Sequence, residues 1–261
     1  MDYSKTSYVA KEANAAGIVP YTADENAVWQ TLVERQLPIV QARACKEYLE
    51  GLDRLALPHD RVPQCRDVTT ALQKASGWAV EAVPALIPFE RFFWLLANRR
   101  FPAATFIRRR EELDYLKEPD IFHEIFGHCP LITLPRYAAF MQHYGELGLN
   151  ATPKERTLLA RLFWFTVEFG LIHTPGGLKA YGGGILSSIS ETVYAIDSPV
   201  PERRPFDAVQ ALQTDYRIDV IQPIYYVLNT FDELYSLVDV DLMKWVRDAM
   251  GEEETGPHSA C

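Results

Sequence analysis

Pro119-Asp-Ile-Phe-His-Glu-Ile-Phe-Gly-His-Cys-Pro130 decides how this chain is read, because it sets His123 and His128 five positions apart. The zinc-protease helix motif spaces its histidines four apart, which stacks them on one helical face with a glutamate as base. A gap of five carries the second side chain about 140° around an ideal helix. Gly127 before His128 and Pro130 after it can open the last turn and swing His128 back. The segment predicts a short helix that starts at Pro119, a favoured first helical position, and ends at His128. The spacing disfavours a hydrolytic zinc site and leaves it open as an alternative.

A third residue gives the histidines their meaning. Glu168 lies in Leu162-Phe-Trp-Phe-Thr-Val-Glu-Phe-Gly-Leu171, where its neighbours are almost all apolar. Burying a carboxylate there is costly unless something cancels its charge. A metal held by His123, His128 and Glu168 would do so, and two histidines with one carboxylate is the ligand set of non-haem Fe(II) oxygenases. Two structural histidines in a non-catalytic helical binding module are the plain alternative, and absence of metal from purified protein would favour it.

With 261 residues, 48% hydrophobic and 23% charged, the chain has the composition of a soluble globular protein with a substantial core. A net charge of -9 argues against nucleic acid or an anionic membrane surface as partner. No apolar run reaches spanning length, and the first residues have no signal-peptide core, so a cytoplasmic location is expected. Cys45, Cys65, Cys129 and Cys261 are scattered without a Cys-x-x-Cys pair, which fits free thiols in a reducing compartment.

The expected fold is mainly α with a few short β-strands in one domain over 21–250. A loosely ordered segment precedes it over 1–20, and a frayed acidic tail follows over 251–261. A helical pattern from 24 to about 55 should kink or split at Pro38. Further helices are expected over 67–75, stopped by Gly77, and over 89–97, opened by Pro88. Thr152 with Glu155, and Thr230 with Glu233, match capping boxes, and the helix from Pro153 carries Glu168 near its far end. Residues 103–108, 217–221 and 225–228 read as short strands. Gly182-Gly-Gly184 lacks the spacing of a dinucleotide loop and reads as a tight turn that lets backbone approach a ligand, feeding a short helix near Ser187.

These blocks, in this order and at these intervals, closely resemble the pterin-dependent aromatic amino acid hydroxylases. Arg61-Val-Pro-Gln64, Ser76-Gly-Trp78 and Gln222-Pro-Ile-Tyr-Tyr-Val227 extend the similarity, which covers about residues 25–240, essentially the family's whole catalytic domain. The resemblance implies the family's catalytic fold and the para-hydroxylation of L-phenylalanine to L-tyrosine. It implies Fe(II) and a tetrahydropterin as cofactors, with O2 as co-substrate. Segments matching the regulatory domain and tetramerisation helix of animal members are missing, so a monomer is expected.

The resemblance assigns His123, His128 and Glu168 as iron ligands and Ser187 as support for a ligand histidine and the substrate. It makes Arg108 the clamp on the substrate carboxylate, which suits a guanidinium fork. Trp164, Phe169 and Pro119 match the walls of the aromatic pocket, with Tyr115, Leu116 and Gly184 also on the substrate. Phe92 matches the ring that stacks on the pterin, beside Leu86, Ile87 and Glu124. Arg109 and Arg110 have no such match and read as a solvated basic face, and His59, His143 and His173 match no ligand. Leu116 stands where animal members carry threonine, and Phe163 where they carry tyrosine. Ile218 matches the position that is apolar in phenylalanine hydroxylases and aspartate in tyrosine hydroxylases, and it is expected near the substrate ring. Hydroxylation of tyrosine or tryptophan is the nearer alternative, and a metal-dependent hydrolase the alternative of another class.

Overall fold

The computed structural model describes residues 8–114, 116 and 118–255, with side chains described to residue 251. Helices α1 (Ala23–Arg43), α2 (Lys46–Leu55) and α3 (Cys65–Ser76) come first. Strand β1 (Ala79–Val83), helix α4 (Phe89–Ala97) and strand β2 (Arg100–Ala104) follow. Next come a π-helical turn over His123–His128, α5 (Cys129–Ile132), α6 (Pro135–Asn150), α7 (Pro153–Phe163) and a second π-helical turn over Trp164–Glu168. The last part holds β3 (Leu171–Thr174), β4 (Gly177–Ala180), α8 (Gly183–Leu186), α9 (Ile189–Asp197) and β5 (Glu202–Pro205). It ends with α10 (Ala208–Gln213), β6 (Ile224–Leu228), α11 (Phe231–Tyr235) and α12 (Leu242–Thr255). The mainly α expectation with a few short strands holds.

Several boundaries differ from the sequence reading. The first helix runs through Pro38 and breaks at Ala44 instead, where the backbone turns extended and Cys45 donates its N–H to Ala180 O at 2.9 Å. A tertiary backbone bond, not the proline, divides α1 from α2. The strand expected over 103–108 is displaced to Arg100–Ala104, paired in parallel with β1. Residues beyond it leave the sheet because Ile121 N bonds Phe106 O and the Arg108 N–H goes to Asp120. Residues 217–221 form no strand. At Thr152 the reciprocal box is closed. At Thr230 it is not, since Glu233 accepts from the backbone and side chain of Asn229 instead. Residues 8–20 form neither helix nor strand, yet Val19 exchanges two hydrogen bonds with Gln64, and Lys11 is tied to both Glu25 and Thr105.

A four-stranded sheet in the order β4-β3-β6-β5 sits at one side of the helices, with β3–β4 antiparallel and the other pairs parallel. The β3–β4 hairpin folds the triple glycine back onto the end of the Glu168 turn. Tyr181 and Gly182 both donate their N–H groups to Gly170 O, at 3.1 and 3.0 Å. The core beneath is aromatic: Trp29, Tyr48, Phe122 and Phe126 are buried, with Phe122 and Phe126 stacked at 4.7 Å.

Candidate metal centre and substrate pocket

The π turn answers the five-residue spacing. Bonding from i to i+5 widens the helix so that side chains five apart share a face. His123 and His128 come together with their Nε2 atoms 3.1 Å apart. The helix does not start at Pro119 or stop at His128, as the sequence reading had it. Asp120, fully buried, accepts the His123 N–H at 3.0 Å and so caps the segment. Beyond His128 the chain continues through α5, with Pro130 in its first turn. Proline has no N–H to offer the carbonyl four residues back. That carbonyl belongs to Phe126, and the Tyr48 hydroxyl donates to it at 2.6 Å.

Glu168 ends the second π turn, closed by Phe169 N to Trp164 O at 2.9 Å. Its Oε1 lies 3.2 Å from His128 Nε2 and its Oε2 3.6 Å from His123 Nε2. Ligand bonds of about 2 Å at right angles would separate donor atoms by about 3 Å, so the three residues fit one face of an octahedral ion. Among the described residues this is the group of histidine, cysteine and carboxylate side chains that converges to within 4.8 Å. None of His59, His143 and His173 belongs to it.

The surroundings set the protonation states a metal needs. Burial, with His128 adding to it, pushes His123 down to about 4 despite the pull of Glu168. Burial alone would raise Glu168, yet the two imidazoles and the Gly184 N–H hold it below the ordinary carboxylate range. Neutral imidazole beside ionised carboxylate is the metal-binding combination. Ser187 Oγ lies 2.9 Å from His123 Nδ1 and 3.4 Å from Gly184 O. A hydroxyl that donates to the carbonyl accepts from Nδ1–H, leaving Nε2 with its lone pair toward the cluster. The triple glycine closes the other side. An added Cβ would stand 2.4 Å from the His128 ring at Gly183 and 2.9 Å from Glu168 Oε2 at Gly184.

Arg108 and Asp120 form a buried bidentate pair, Nε to Oδ2 at 2.9 Å and Nη2 to Oδ1 at 3.0 Å. Burial works against ionising Asp120, but Arg108 prevails and holds it below the ordinary carboxylate range. The Nη1 edge of the fork stays outside this pair. One carboxylate thus orients Arg108 and caps the helix that presents His123. The sequence reading missed Asp120, which follows Lys117-Glu118-Pro119 and so lacks the almost wholly apolar setting that singled out Glu168.

Trp164 is sandwiched between Phe169 at 4.5 Å and Tyr216 at 4.4 Å, and donates its indole N–H to Gln222 Oε1 at 3.0 Å. Pro119 and Leu116 are half-buried on the stretch leading to Asp120, and Tyr115 lies outside the described residues. Phe92 packs edge-on against Phe93 and Phe163, where a phenylalanine ring suffices. Leu86 and Ile87 are half-buried in the loop from β1 to α4. Glu124 projects from the first π turn, and burial, then the charges of Glu168 and Asp120, raise it well above the usual range. Gly184 touches Glu168 and Phe169. Ile218 corrects the expectation: it is 54% exposed on a loop, because the strand that would have turned it inward does not form. Asp219 does not take its place, pairing with Arg217 at the surface.

Residues 2–246 match the model of the biopterin-dependent aromatic amino acid hydroxylases. The phenylalanine-4-hydroxylase of Vibrio cholerae is 56% identical over 245 residues, covering 94% of this chain and 85% of that protein. The apo cold-active phenylalanine hydroxylase of Colwellia psychrerythraea superposes with a TM-score of 0.92 at 49% identity, covering 97% of each chain. The phenylalanine hydroxylase of Chromobacterium violaceum, solved with bound oxidised Fe(III), superposes with a TM-score of 0.86 at 43% identity, covering 92% of this chain and 90% of that one. With its fold and nearly its whole length in agreement, the chain belongs to the biopterin-dependent aromatic amino acid hydroxylase family.

Proposed function

We propose that the protein converts L-phenylalanine to L-tyrosine with a tetrahydropterin and O2, at a mononuclear non-haem Fe(II) held by His123, His128 and Glu168. The observation that carries this reading is the convergence of two imidazole nitrogens and one ionised carboxylate on one face, beside a buried arginine and an aromatic wall. The relatives named as phenylalanine hydroxylases support the choice of substrate, and no comparison supports a hydrolase. Iron and pterin, when bound, supply the activation of O2, and the chain supplies position and a dry, shaped site.

Arg108, held by Asp120, meets the amino acid carboxylate with its remaining N–H groups. Trp164, Phe169 and Pro119 form the pocket for the ring, with Tyr115, Leu116 and Gly184 along the substrate. Phe92 offers a face to the pterin, with Leu86 and Ile87 beside it. Glu124, on the turn that presents His123, stands toward the pterin as a polar partner. Ser187 orients the His123 ring. A monomer working in the cytoplasm completes the reading, supported by the free thiols of Cys45 and Cys129.

Anaerobic Fe(II) loading followed by assay on phenylalanine, tyrosine and tryptophan tests the proposal. Tyrosine production from phenylalanine that requires iron, tetrahydropterin and O2 is expected. A larger specificity constant for tyrosine or tryptophan would refute the substrate assignment.

A further inference from the structure

The segment between α10 and β6 forms one side of the aromatic wall, yet residues 217–221 are exposed and carry no regular structure. Gln222 holds it. This side chain is 2% exposed, and its Nε2 donates to Arg217 O at 2.8 Å and Val220 O at 2.9 Å. Its Oε1 accepts the Trp164 indole N–H at 3.0 Å. Gln222 therefore joins the loop to the ring that separates Tyr216 from Phe169.

Gln222 is held in turn by a residue from a different element. Glu191, in the first turn of α9, accepts the Gln222 backbone N–H at 3.2 Å and the Tyr225 hydroxyl on the same Oε1. It is 6% exposed, and among the described residues no cation pairs with it. Burial raises its carboxyl above the usual range, against the pull of Tyr225 and Gln222. A buried carboxyl kept without a counter-ion is costly, and it persists where its donors need a fixed acceptor.

We propose that Glu191 is a positioning residue for the substrate pocket: through Gln222 it fixes the plane of Trp164 and thereby the discrimination among aromatic rings. The proposal rests on the reading above that Trp164 lines the pocket. Among the described residues no hydrogen bond or ion pair joins Glu191 to His123, His128 or Glu168, and its carboxylate is bonded to Gln222 and Tyr225. Its loss should move substrate binding and selectivity while leaving iron in place.

The test compares iron-loaded wild type with Glu191→Ala, Glu191→Gln and Gln222→Met in steady-state assays on phenylalanine and tryptophan, with iron content and melting temperature measured alongside. Glu191→Ala is expected to keep stoichiometric iron and its pterin KM, and to raise the phenylalanine KM about tenfold with little change in kcat. The preference for phenylalanine over tryptophan should fall by a comparable factor. Glu191→Gln keeps an acceptor oxygen and is expected to restore the KM to within about threefold of wild type. Gln222→Met cuts the link at its other end, should reproduce the alanine phenotype, and carries the test if Glu191→Ala does not fold. Wild-type KM and selectivity in either folded variant, whatever its melting temperature, would overturn the proposal, as would a Glu191→Gln enzyme no better than Glu191→Ala. A wild type without pterin-dependent turnover on any aromatic amino acid would instead overturn the functional reading. Crystal structures of wild type and Glu191→Ala then decide the positioning role, by whether the Trp164 indole turns.

Discussion

The segment that presents the histidines and the loop that flanks the aromatic wall are built in opposite ways. From Asp120 to Ile132 nearly every residue is buried, and the awkward backbone groups are matched: Asp120 caps the start and Tyr48 covers the carbonyl that Pro130 leaves free. From Arg217 to Ile221 every residue is exposed, and the loop is anchored through Gln222, with Tyr216 stacked on Trp164. The first segment is enclosed and matched bond by bond, partly from a distant helix, whereas the second hangs on one glutamine side chain and one stacked ring. On the function proposed above the contrast has a reason: metal ligands must hold their directions without substrate, whereas a pocket wall only has to meet a ring.

The largest effect expected from this contrast is at the cluster itself. His123→Ala, His128→Ala and Glu168→Ala should each abolish stoichiometric iron and nearly all turnover, while the circular dichroism of the fold persists. A variant that kept both iron and full activity would remove that residue from the ligand set and break the comparison.

The next effect concerns the carboxylate shared between clamp and helix cap. Asp120→Ala leaves Arg108 buried without its partner, a change that typically costs about 3–5 kcal/mol. Denaturant unfolding should show a loss of that order, whereas Arg109→Ala, at an exposed position, should change stability by less than about 0.5 kcal/mol. The pH dependence has a definite sign. Asp120 is held below its unfolded value of 3.8, so its contribution is complete above that pH and is lost as the pH falls through the depressed value. Acid unfolding of wild type should therefore show a component below pH 3.8 that Asp120→Asn lacks.

A smaller effect isolates the π turn. Tyr48→Phe removes one hydroxyl and leaves Phe126 O buried without a partner, which costs about 1–3 kcal/mol. Because that carbonyl lies between the two histidines, the same variant should weaken iron binding in an equilibrium titration. A loss of stability with unchanged iron affinity would show that the turn tolerates the missing bond.

The difference between the two regions also explains what was legible in the residues. The metal cluster was legible because a carboxylate in an apolar run and a histidine pair are local signals. The π turn was half legible: Gly127 and Pro130 announced a distortion, while the bond that covers the Phe126 carbonyl comes from Tyr48, on a distant helix. The break at Ala44 was misplaced to Pro38 for the same reason, since the bond that makes it reaches Ala180. Asp120 was not legible, since Lys117 and Glu118 precede it and its burial depends on the ion pair with Arg108, twelve residues away. The loop was misread because its apolar residues match a strand, while the backbone carbonyls a strand would pair are taken by Gln222.

The smallest effect expected is at Ile218, and it tests the loop most directly. An inward Ile218 would deny a phenol hydroxyl its partner and so select phenylalanine by about 1–3 kcal/mol. In the structure the side chain is 54% exposed, so an aspartate there meets water and not the substrate ring. Ile218→Asp should therefore shift stability by less than about 0.5 kcal/mol. It should also leave the phenylalanine-to-tyrosine ratio in competition kinetics within about twofold of wild type, since surface substitutions clear of the pocket change little. Selectivity would instead reside in the buried link from Trp164 through Gln222. A marked gain of tyrosine turnover in Ile218→Asp would show that the loop folds inward over bound substrate, and would bring the two regions closer in kind than their exposure implies.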